Sequence, residues 1–247
     1  MSKKQRIDKV LSNLGYGSRS ELKKICKNGL VKVNGKVINN PGVQVDVEND
    51  EIIFDGEKVT YKEFIYLMLN KPDGYISATF DKRDPIVLDL IDKEDLVFEP
   101  FPVGRLDKDT VGLLLLTNDG EFANLLMHPN KEVDKVYLAK VKGIVRGDTV
   151  AKLKSGVVLD NKKVRCARAK VKRIDYKNGT SFVELTIHEG INHQVKRMLN
   201  EVGFEVLKLT REQVYFFNLD GLKSGEYRPL TKKEVAKVYA LEKKMTK

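Results

Sequence analysis

The stretch PVGRLDKDTVGLLLLTNDG, residues 102–120, organises the chain. Within it, Arg105 and Asp107 lie in a charged segment that leads directly into an apolar run at 111–116. A short apolar run bounded by polar residues predicts a buried strand. Reactive side chains are often held in loops beside such rigid elements. Asp107 is therefore the candidate for chemistry. The alternative is that Asp107 and Asp109 are ordinary loop carboxylates before a strand.

Composition predicts a basic globular protein with a polyanionic partner. The 247 residues allow one large domain, or a small one plus a medium one. The chain has 45 Lys and Arg and 35 Asp and Glu, which gives a net charge of +10. We expect this excess of positive charge to be spread along the chain. Such an excess favours nucleic acid, although a merely soluble basic protein is the alternative. Cys26 and Cys166 are expected to be reduced, and the N-terminus lacks the apolar core of a signal peptide, which predicts a cytoplasmic protein.

The pattern of residues 6–60 predicts a compact basic domain. A buried helical stripe is formed by Ile7, Val10, Leu11 and Leu14. Ser18 and Glu21 form a capping box for a second helix. The segment VKVNGKV, residues 31–37, predicts a hairpin that turns at its Asn-Gly pair. The polar segment DGEKVTYKE, residues 55–63, predicts a linker.

The second helix carries Arg19, Lys23 and Lys27 in one row. The row predicts contacts with phosphates, and the alternative is a solvated helix face. The stretch RIDKVLSNLGYGSRSELKKICKNGLVKVNGKVI resembles an S4 domain, a small RNA-binding fold. We therefore predict an S4-like domain over residues 1–60 and a second domain over residues 61–247.

The second domain alternates predicted strands with short helices, without a βαβ repeat. Strands are predicted near 65–71, 135–141, 163–174 and 181–187, the third with a bulge, and Thr231 with Glu234 caps a C-terminal helix. This pattern predicts an α+β fold with a largely antiparallel mixed sheet flanked by helices.

A second polar constellation lies in residues 191–202, which read as one amphipathic helix. One face is apolar, with Val195, Met198, Leu199 and Val202. The opposite face carries His193, Lys196, Arg197 and Asn200. A cation from this face that pairs with a buried carboxylate would lower the pKa of an Asp by ~1–3 units. Either Lys196 or Arg197 fits this role, and the alternative is a solvated basic face.

Tyr137, in DKVYLAKV, is a third candidate. It can stack on a base, an interaction worth roughly 1–3 kcal/mol, or pack in the core as a strand aromatic. No zinc-ligand spacing is present, and both GxGxxG and GxxxxGK[ST] are missing from the sequence. We therefore expect neither a metal nor a nucleotide cofactor.

Three stretches, FPVGRLDKDTVGLLLLTNDGEFANLLMHP, VDKVYLAKV and HEGINHQVKRM, resemble the motifs of pseudouridine synthases of the small-subunit rRNA type. That family also carries an N-terminal S4 domain. The resemblance implies an enzyme that isomerises a uridine in ribosomal RNA without a cofactor. It implies that Asp107 is the catalytic aspartate, that Tyr137 packs against the target base and that Lys196 pairs with Asp107. Contacts with RNA are expected from Arg105, His193 and Arg197.

The chemistry leaves two routes open for Asp107. Its carboxylate can attack the anomeric carbon, or it can act as a base in a route through a glycal. Both routes require exclusion of water, and the apolar run after Asp107 is expected to form part of that wall. The resemblance favours uridine 516 of 16S rRNA as substrate. The alternatives are a 23S rRNA uridine and a non-catalytic ribosome-assembly protein, and the chain is expected to be a monomer.

Overall fold

The computed structural model describes residues 4–47, 49–59 and 61–243. The chain folds as two compact units. The first contains the described residues up to Ile65 together with Asp92–Glu99, and the second contains Tyr66–Ile91 and the described residues from Pro100 onward.

The first unit combines short helices with short strands. Its helices are α1 (Ile7–Asn13), α2 (Arg19–Lys27) and α3 (Lys93–Leu96). Its strands are β1 (Lys4–Arg6), β2 (Val31–Val33), β3 (Lys36–Val37), β4 (Gln44–Asp46), β5 (Ile52–Phe54) and β6 (Glu57–Val59). Strands β3, β2, β5 and β6 form one antiparallel sheet in that order, and β1 pairs with β4.

Local patterns account for most of this unit. The predicted stripe of α1 is confirmed, because Ile7, Val10 and Leu11 are fully buried. The capping box is also confirmed, since the Ser18 hydroxyl accepts from the Glu21 N–H while the Glu21 carboxylate accepts from the Ser18 N–H.

The linker prediction for residues 55–63 is wrong in part. Asp55 and Gly56 both have positive φ, which makes them a hairpin turn rather than the start of a linker. The strand β6 then pairs with β5, and Val59 is buried in the small core. One buried valine among polar neighbours is enough to hold this edge strand.

The second unit is built on a nine-stranded sheet. Its path is β13-β14-β10-β15-β9-β7-β17, with β16 paired to β15 and β8 paired to β9. The strands are β7 (Tyr66–Lys71), β8 (Phe101–Pro102), β9 (Thr110–Thr117), β10 (Lys135–Lys142), β13 (Arg168–Asp175), β14 (Thr180–Ile187), β15 (Val206–Val214), β16 (Phe217–Asn218) and β17 (Tyr227–Pro229). A separate hairpin is formed by β11 (Val157–Leu159) and β12 (Lys162–Val164).

Four α-helices accompany this sheet in the described residues: α4 (Gly120–Met127), α5 (Gly147–Ser155), α6 (Gln194–Glu201) and α7 (Lys232–Lys243). Short 3-10 helices span Val87–Leu90 and Pro129–Lys131. Every strand pair of the sheet is antiparallel except β9 with β15. The predicted α+β fold with a largely antiparallel mixed sheet is confirmed.

The opening stretch supplies the central strand β9. Its leucines are buried on both faces, and Leu113 and Leu115 pack in one core with Phe122 of α4 and Val238 of α7. Gly112 has φ +105°, and a Cβ there would lie 2.3 Å from the carbonyl oxygen of Arg211 on β15. The parallel contact between these strands therefore requires glycine at this position.

Two sequence-based boundaries need correction. The strand predicted over residues 163–174 is two strands, because the chain leaves the hairpin after Val164 to bury Cys166 before β13 begins. The strand β13 does contain a bulge, but it lies between Val171 and Arg173 and not at the step from Cys166 to Ala167, where the alternation in the sequence breaks. The helix predicted from residue 191 begins only at Gln194.

Cys26 and Cys166 form no disulfide, as predicted, and both are buried. Within the described ranges, each helix is too short or too polar to cross a bilayer.

The start of α7 is fixed by a single carboxylate. Glu234 accepts from the Arg228 guanidinium at 2.8 and 3.1 Å, and from the N–H and hydroxyl of Thr231 at 2.6 and 2.9 Å. The hydrogen bonds from Arg228, helped by those from Thr231, lower the pKa of Glu234 to about 2 although the group is partly buried.

We expect Glu234→Gln to lower the free energy of unfolding by about 1–2 kcal/mol at neutral pH. The folded pKa of about 2 lies below the ordinary value of 4.5. The stabilisation is therefore fully present above pH 4.5 and is lost as the pH falls towards 2. Urea unfolding across this range measures it. Glu201→Gln, which removes an exposed carboxylate at the end of α6, is the control. A difference between Glu234→Gln and the wild type that stays constant down to pH 2 would contradict the assignment.

Candidate active site

A buried lysine binds the backbone of the loop that carries Asp107. Lys71, at the end of β7, is fully buried. Its Nζ donates to the carbonyl oxygens of Pro72, Lys108 and Thr110 at 3.0, 3.0 and 2.8 Å. Two of these carbonyls lie one and three residues beyond Asp107, so Lys71 fixes the backbone on that side.

A serine fixes the other side of Asp107. The hydroxyl of Ser77 donates to the carbonyl oxygen of Leu106 and accepts from its N–H, both at 3.0 Å. Both backbone groups of the residue before Asp107 are therefore satisfied by one buried side chain. With Lys71, this contact holds the candidate carboxylate on a rigid backbone.

Lys71 also places a positive charge near the carboxylates of this loop. Burial lowers its pKa to about 8, while the nearby carboxylates of Asp73, Asp109 and Asp107 oppose that shift. Lys71 is not among the site residues predicted from the sequence. A signal exists in the alternation of β7, where Leu67, Leu69 and Lys71 point to the same buried face.

Lys196 of α6 reaches the same loop. Its Nζ lies 3.1 Å from Asp107 Oδ2 and 2.5 Å from Asp109 Oδ1. Of the two cations that the sequence left open, the structure brings Lys196 to Asp107. Arg197 instead donates to Asp160 at 2.6 Å. Asp109, which the sequence pattern left as an ordinary loop carboxylate, contacts the same lysine as Asp107, and 70% of its side chain is exposed.

The shared cation keeps its charge over a wide pH range. Burial alone would lower the pKa of Lys196, but the hydrogen bonds and charges of Asp109 and Asp107 outweigh it and the net shift is upward. The hydrogen bond from Lys196 lowers the pKa of Asp109, against the effect of desolvation. Both shifts favour the charged forms, so Lys196 and Asp109 form an ion pair at neutral pH.

His193 approaches the second oxygen of Asp107. Its Nε2 lies 3.3 Å from Asp107 Oδ1, and just over half of its side chain is exposed. It does not lie on the helix face as predicted. It precedes α6 in the left-handed conformation, with φ +51°, and the resulting turn directs the ring towards Asp107. Thr110 adds a long hydrogen bond of 3.4 Å to Asp107 Oδ2.

Buried polar groups support the loop that presents His193. Lys135 donates to the carbonyl oxygen of His188 at 2.7 Å, and burial lowers the pKa of this lysine to about 8. Gln194, which is also buried, donates to Glu189 at 2.9 Å and accepts from the N–H of Ile191 at 3.3 Å. The segment between β14 and α6 is therefore anchored at both ends.

Tyr137 and Asp107 line one small cavity of about 80 Å³. Tyr137 projects from β10 and is only 8% exposed. The apolar wall of the cavity consists of Leu106, Ile187, Ile191, Val195 and Leu209. The expectation that the leucine run of β9 forms this wall is wrong, because Leu113 and Leu115 pack against α4 and α7 instead.

Four further residues, Arg105, Arg19, Lys23 and Lys27, are predicted from the sequence to contact RNA. Arg105 is exposed and lines the cavity. In the first unit, Arg19, Lys23 and Lys27 are exposed along α2. Their contacts with RNA stay predictions.

The arrangement can support nucleophilic or base chemistry by a carboxylate. It combines the Asp107 carboxylate, a lysine 3.1 Å from it, and an apolar wall beside an aromatic ring. In the described part of the chain, no group of three or more His, Cys, Asp or Glu residues could hold a metal ion.

Comparisons with known proteins agree with this chemistry. A family model described as RNA pseudouridylate synthase matches residues 65–201, and one described as S4 domain matches residues 5–52. Ribosomal large subunit pseudouridine synthase B of Bacillus subtilis is 48% identical over 238 residues, which cover 96% of each chain. A second Bacillus subtilis protein, named an uncharacterized RNA pseudouridine synthase, is 46% identical over 93% of this chain and 96% of its own.

One solved structure shares both the fold and much of the sequence. It is a crystal structure of a pseudouridylate synthase, with a TM-score of 0.63 and 36% identity, covering 94% of this chain and 99% of that chain. The family model alone covers more than half of the 247 residues. This chain belongs to the RNA pseudouridylate synthase family and carries an S4 domain on its N-terminal side.

Proposed function

We propose that this protein isomerises a uridine of ribosomal RNA to pseudouridine, with Asp107 as the catalytic residue. The observation that carries the proposal is the position of the Asp107 carboxylate. It lies 3.1 Å from Lys196 and opens into a cavity that it shares with Tyr137. Membership of the pseudouridylate synthase family supports the same reaction.

The reaction breaks the N1–C1′ bond, rotates the base and joins C5 to C1′. The hydrogen of C5 leaves as a proton and N1 takes up a proton, so the base is isomerised without an external reactant. Asp107 either attacks C1′ or removes a proton on the route through a glycal, and in both roles the carboxylate group that pairs with Lys196 is the reacting group. Tyr137 packs against the base, and the apolar wall limits hydrolysis of the separated sugar and base.

For the substrate, we favour a uridine of 23S rRNA. The support is the relative named large subunit pseudouridine synthase, which aligns over 96% of this chain. Uridine 516 of 16S rRNA is the second candidate, and the histidine of HQVKRM, His193, favours it. A non-catalytic assembly protein of the same fold is the third, and loss of Asp107 chemistry would leave its function intact.

We further propose that residues 1–60 form an RNA-binding domain and residues 61–247 the catalytic domain, and that the protein acts as a cytoplasmic monomer. The family matches at 5–52 and 65–201 support this division. Arg19, Lys23 and Lys27 would then contact phosphates.

In a strain that lacks this protein, we expect one pseudouridine to be missing from rRNA. Mapping 16S and 23S rRNA would identify the site and decide between the two candidate subunits. Wild-type protein should restore the modification, and Asp107→Asn should not, because an amide can neither attack C1′ nor accept the proton. Restoration by Asp107→Asn would contradict the catalytic role.

Lys196→Met should reduce turnover by at least about tenfold, which corresponds to 1.4 kcal/mol or more in the barrier. The matched control is Arg197→Met, the next residue of α6, which pairs with the exposed Asp160 rather than with Asp107. Single-turnover rates should fall far more for Lys196→Met than for the control.

Thermal unfolding separates this effect from damage to the fold. Both variants should unfold within a few degrees of the wild type, because the apolar face of α6 is unchanged. Equal turnover in the two variants, or a Lys196→Met protein that is active but unfolds early, would contradict the pairing role.

A further inference from the structure

The positive charge of the chain is concentrated in one segment. Residues 142–173 contain eleven Lys and Arg and two Asp, a net charge of +9 out of +10 for the whole chain. Residues 1–65, which include the S4 domain, contain twelve Lys and Arg and nine Asp and Glu, a net charge of +3. The expectation that the excess is spread along the chain is therefore wrong.

Parts of this segment pack together, since α5 contacts β13 and the N–H of Cys166 donates to the carbonyl oxygen of Leu153 at 3.1 Å. We call the segment the basic platform (residues 142–173). It comprises the end of β10, the helix α5, the hairpin β11–β12 and the edge strand β13. Five of its apolar side chains are buried and anchor it to the second unit: Leu153, Val157, Leu159, Val164 and Cys166. All eleven cations are exposed.

Few of these charges are neutralised within the protein. Lys142 lies 4.0 Å from Glu205, and Arg168 forms an ion pair with Asp134. Lys170 and Lys172 both form ion pairs with Glu184. The guanidinium of Arg173 lies over the ring of Phe182, 4.2 Å from its centre. In the described ranges, no ion pair is formed by Arg146, Lys152, Lys154, Lys162, Lys163 or Arg165.

The platform adjoins the candidate active site at two places. At the hairpin turn, Asp160 accepts from Arg197, the neighbour of Lys196 on α6. A cavity of about 460 Å³ is lined by Lys154, Arg165 and Arg168 of the platform together with Glu132, His188 and Glu189. His188 and Glu189 begin the segment that leads to His193 beside Asp107.

We propose that the basic platform binds the phosphate backbone of the RNA that flanks the target uridine. This inference rests on the proposed function, because it places that RNA in the neighbouring site. Exposed, unpaired cations release condensed counterions when they meet phosphates, and this release drives binding. Six such cations lie within one stretch of 20 residues, 146–165. An acidic protein partner would be less favoured, since the platform offers only one large exposed apolar side chain, Val158, as an anchor.

Salt dependence of RNA binding tests the platform directly. The triple variant K162Q/K163Q/R165Q removes three charges from the hairpin and its C-terminal end. The matched variant K223Q/K232Q/K233Q removes three exposed charges from the region before and at the start of α7. The probe is a fluorescently labelled rRNA stem–loop, and its Kd is measured by anisotropy between about 50 and 200 mM salt.

We expect the hairpin variant to reduce the slope of log K against log salt by about 2–3, since each phosphate contact contributes about 0.7–0.9. The α7 variant should keep the wild-type slope. A second platform variant, R146Q/K152Q/K154Q on and beside α5, should reproduce the loss. The proposal is overturned if both platform variants keep the wild-type slope, or if the α7 variant loses as much. Binding of an acidic protein with unchanged RNA binding would also overturn it.

Kinetics separate this proposal from the proposed function. With rRNA from the strain that lacks the protein, the platform variants should raise KM for RNA more than they change kcat. If the wild type forms no pseudouridine, the proposed function fails, and a changed salt slope would still report RNA binding by the platform. If pseudouridine forms normally and the slope is unchanged, the platform proposal alone fails.

Discussion

One ammonium group lies between two carboxylates, and the arrangement of the site depends on it. Lys196 Nζ is 3.1 Å from Asp107 and 2.5 Å from Asp109. Two carboxylates in one short loop repel each other when no cation lies between them. Lys196 therefore stabilises the loop conformation that brings the two carboxylates together. Its helix can hold the lysine in place because Val195, Met198 and Leu199 are buried in the core.

Lys71, which is fully buried, acts on the same loop through its backbone. Lys71 neutralises no single carboxylate but binds three carbonyl oxygens, while Ser77 binds Leu106. The loop is thus fixed by Lys71 of β7, which binds its backbone, and by Lys196 of α6, which binds its carboxylates. Both contacts are present without RNA. Such preorganisation avoids the cost of ordering charged groups during the reaction. The basic platform shares no residue with this loop, so the RNA binding and the chemistry that we propose depend on different residues.

Short-range patterns in the sequence predict much of the fold, because their partners lie within a few residues. The capping boxes of α2 and α7 and the Asn-Gly hairpin turns are of this kind. Lys71 could not be recognised as a loop anchor, since its acceptors Lys108 and Thr110 are 37 and 39 residues away. The left-handed turn at His193 and the sharing of Lys196 by Asp109 also depend on tertiary packing. The charge asymmetry, in contrast, is visible in the sequence by counting along short segments.

The most direct measurement follows the hydrogen on C5 of the target uridine. Isomerisation joins C5 to C1′, so that hydrogen must leave to solvent. Purified protein would be added to rRNA labelled with tritium at C5 of uridine, taken from a strain that lacks the protein. We predict release of one equivalent of tritium per rRNA molecule by the wild type and none by Asp107→Asn. Equal release by the two proteins, or no release by the wild type from either ribosomal RNA, would contradict catalysis by Asp107.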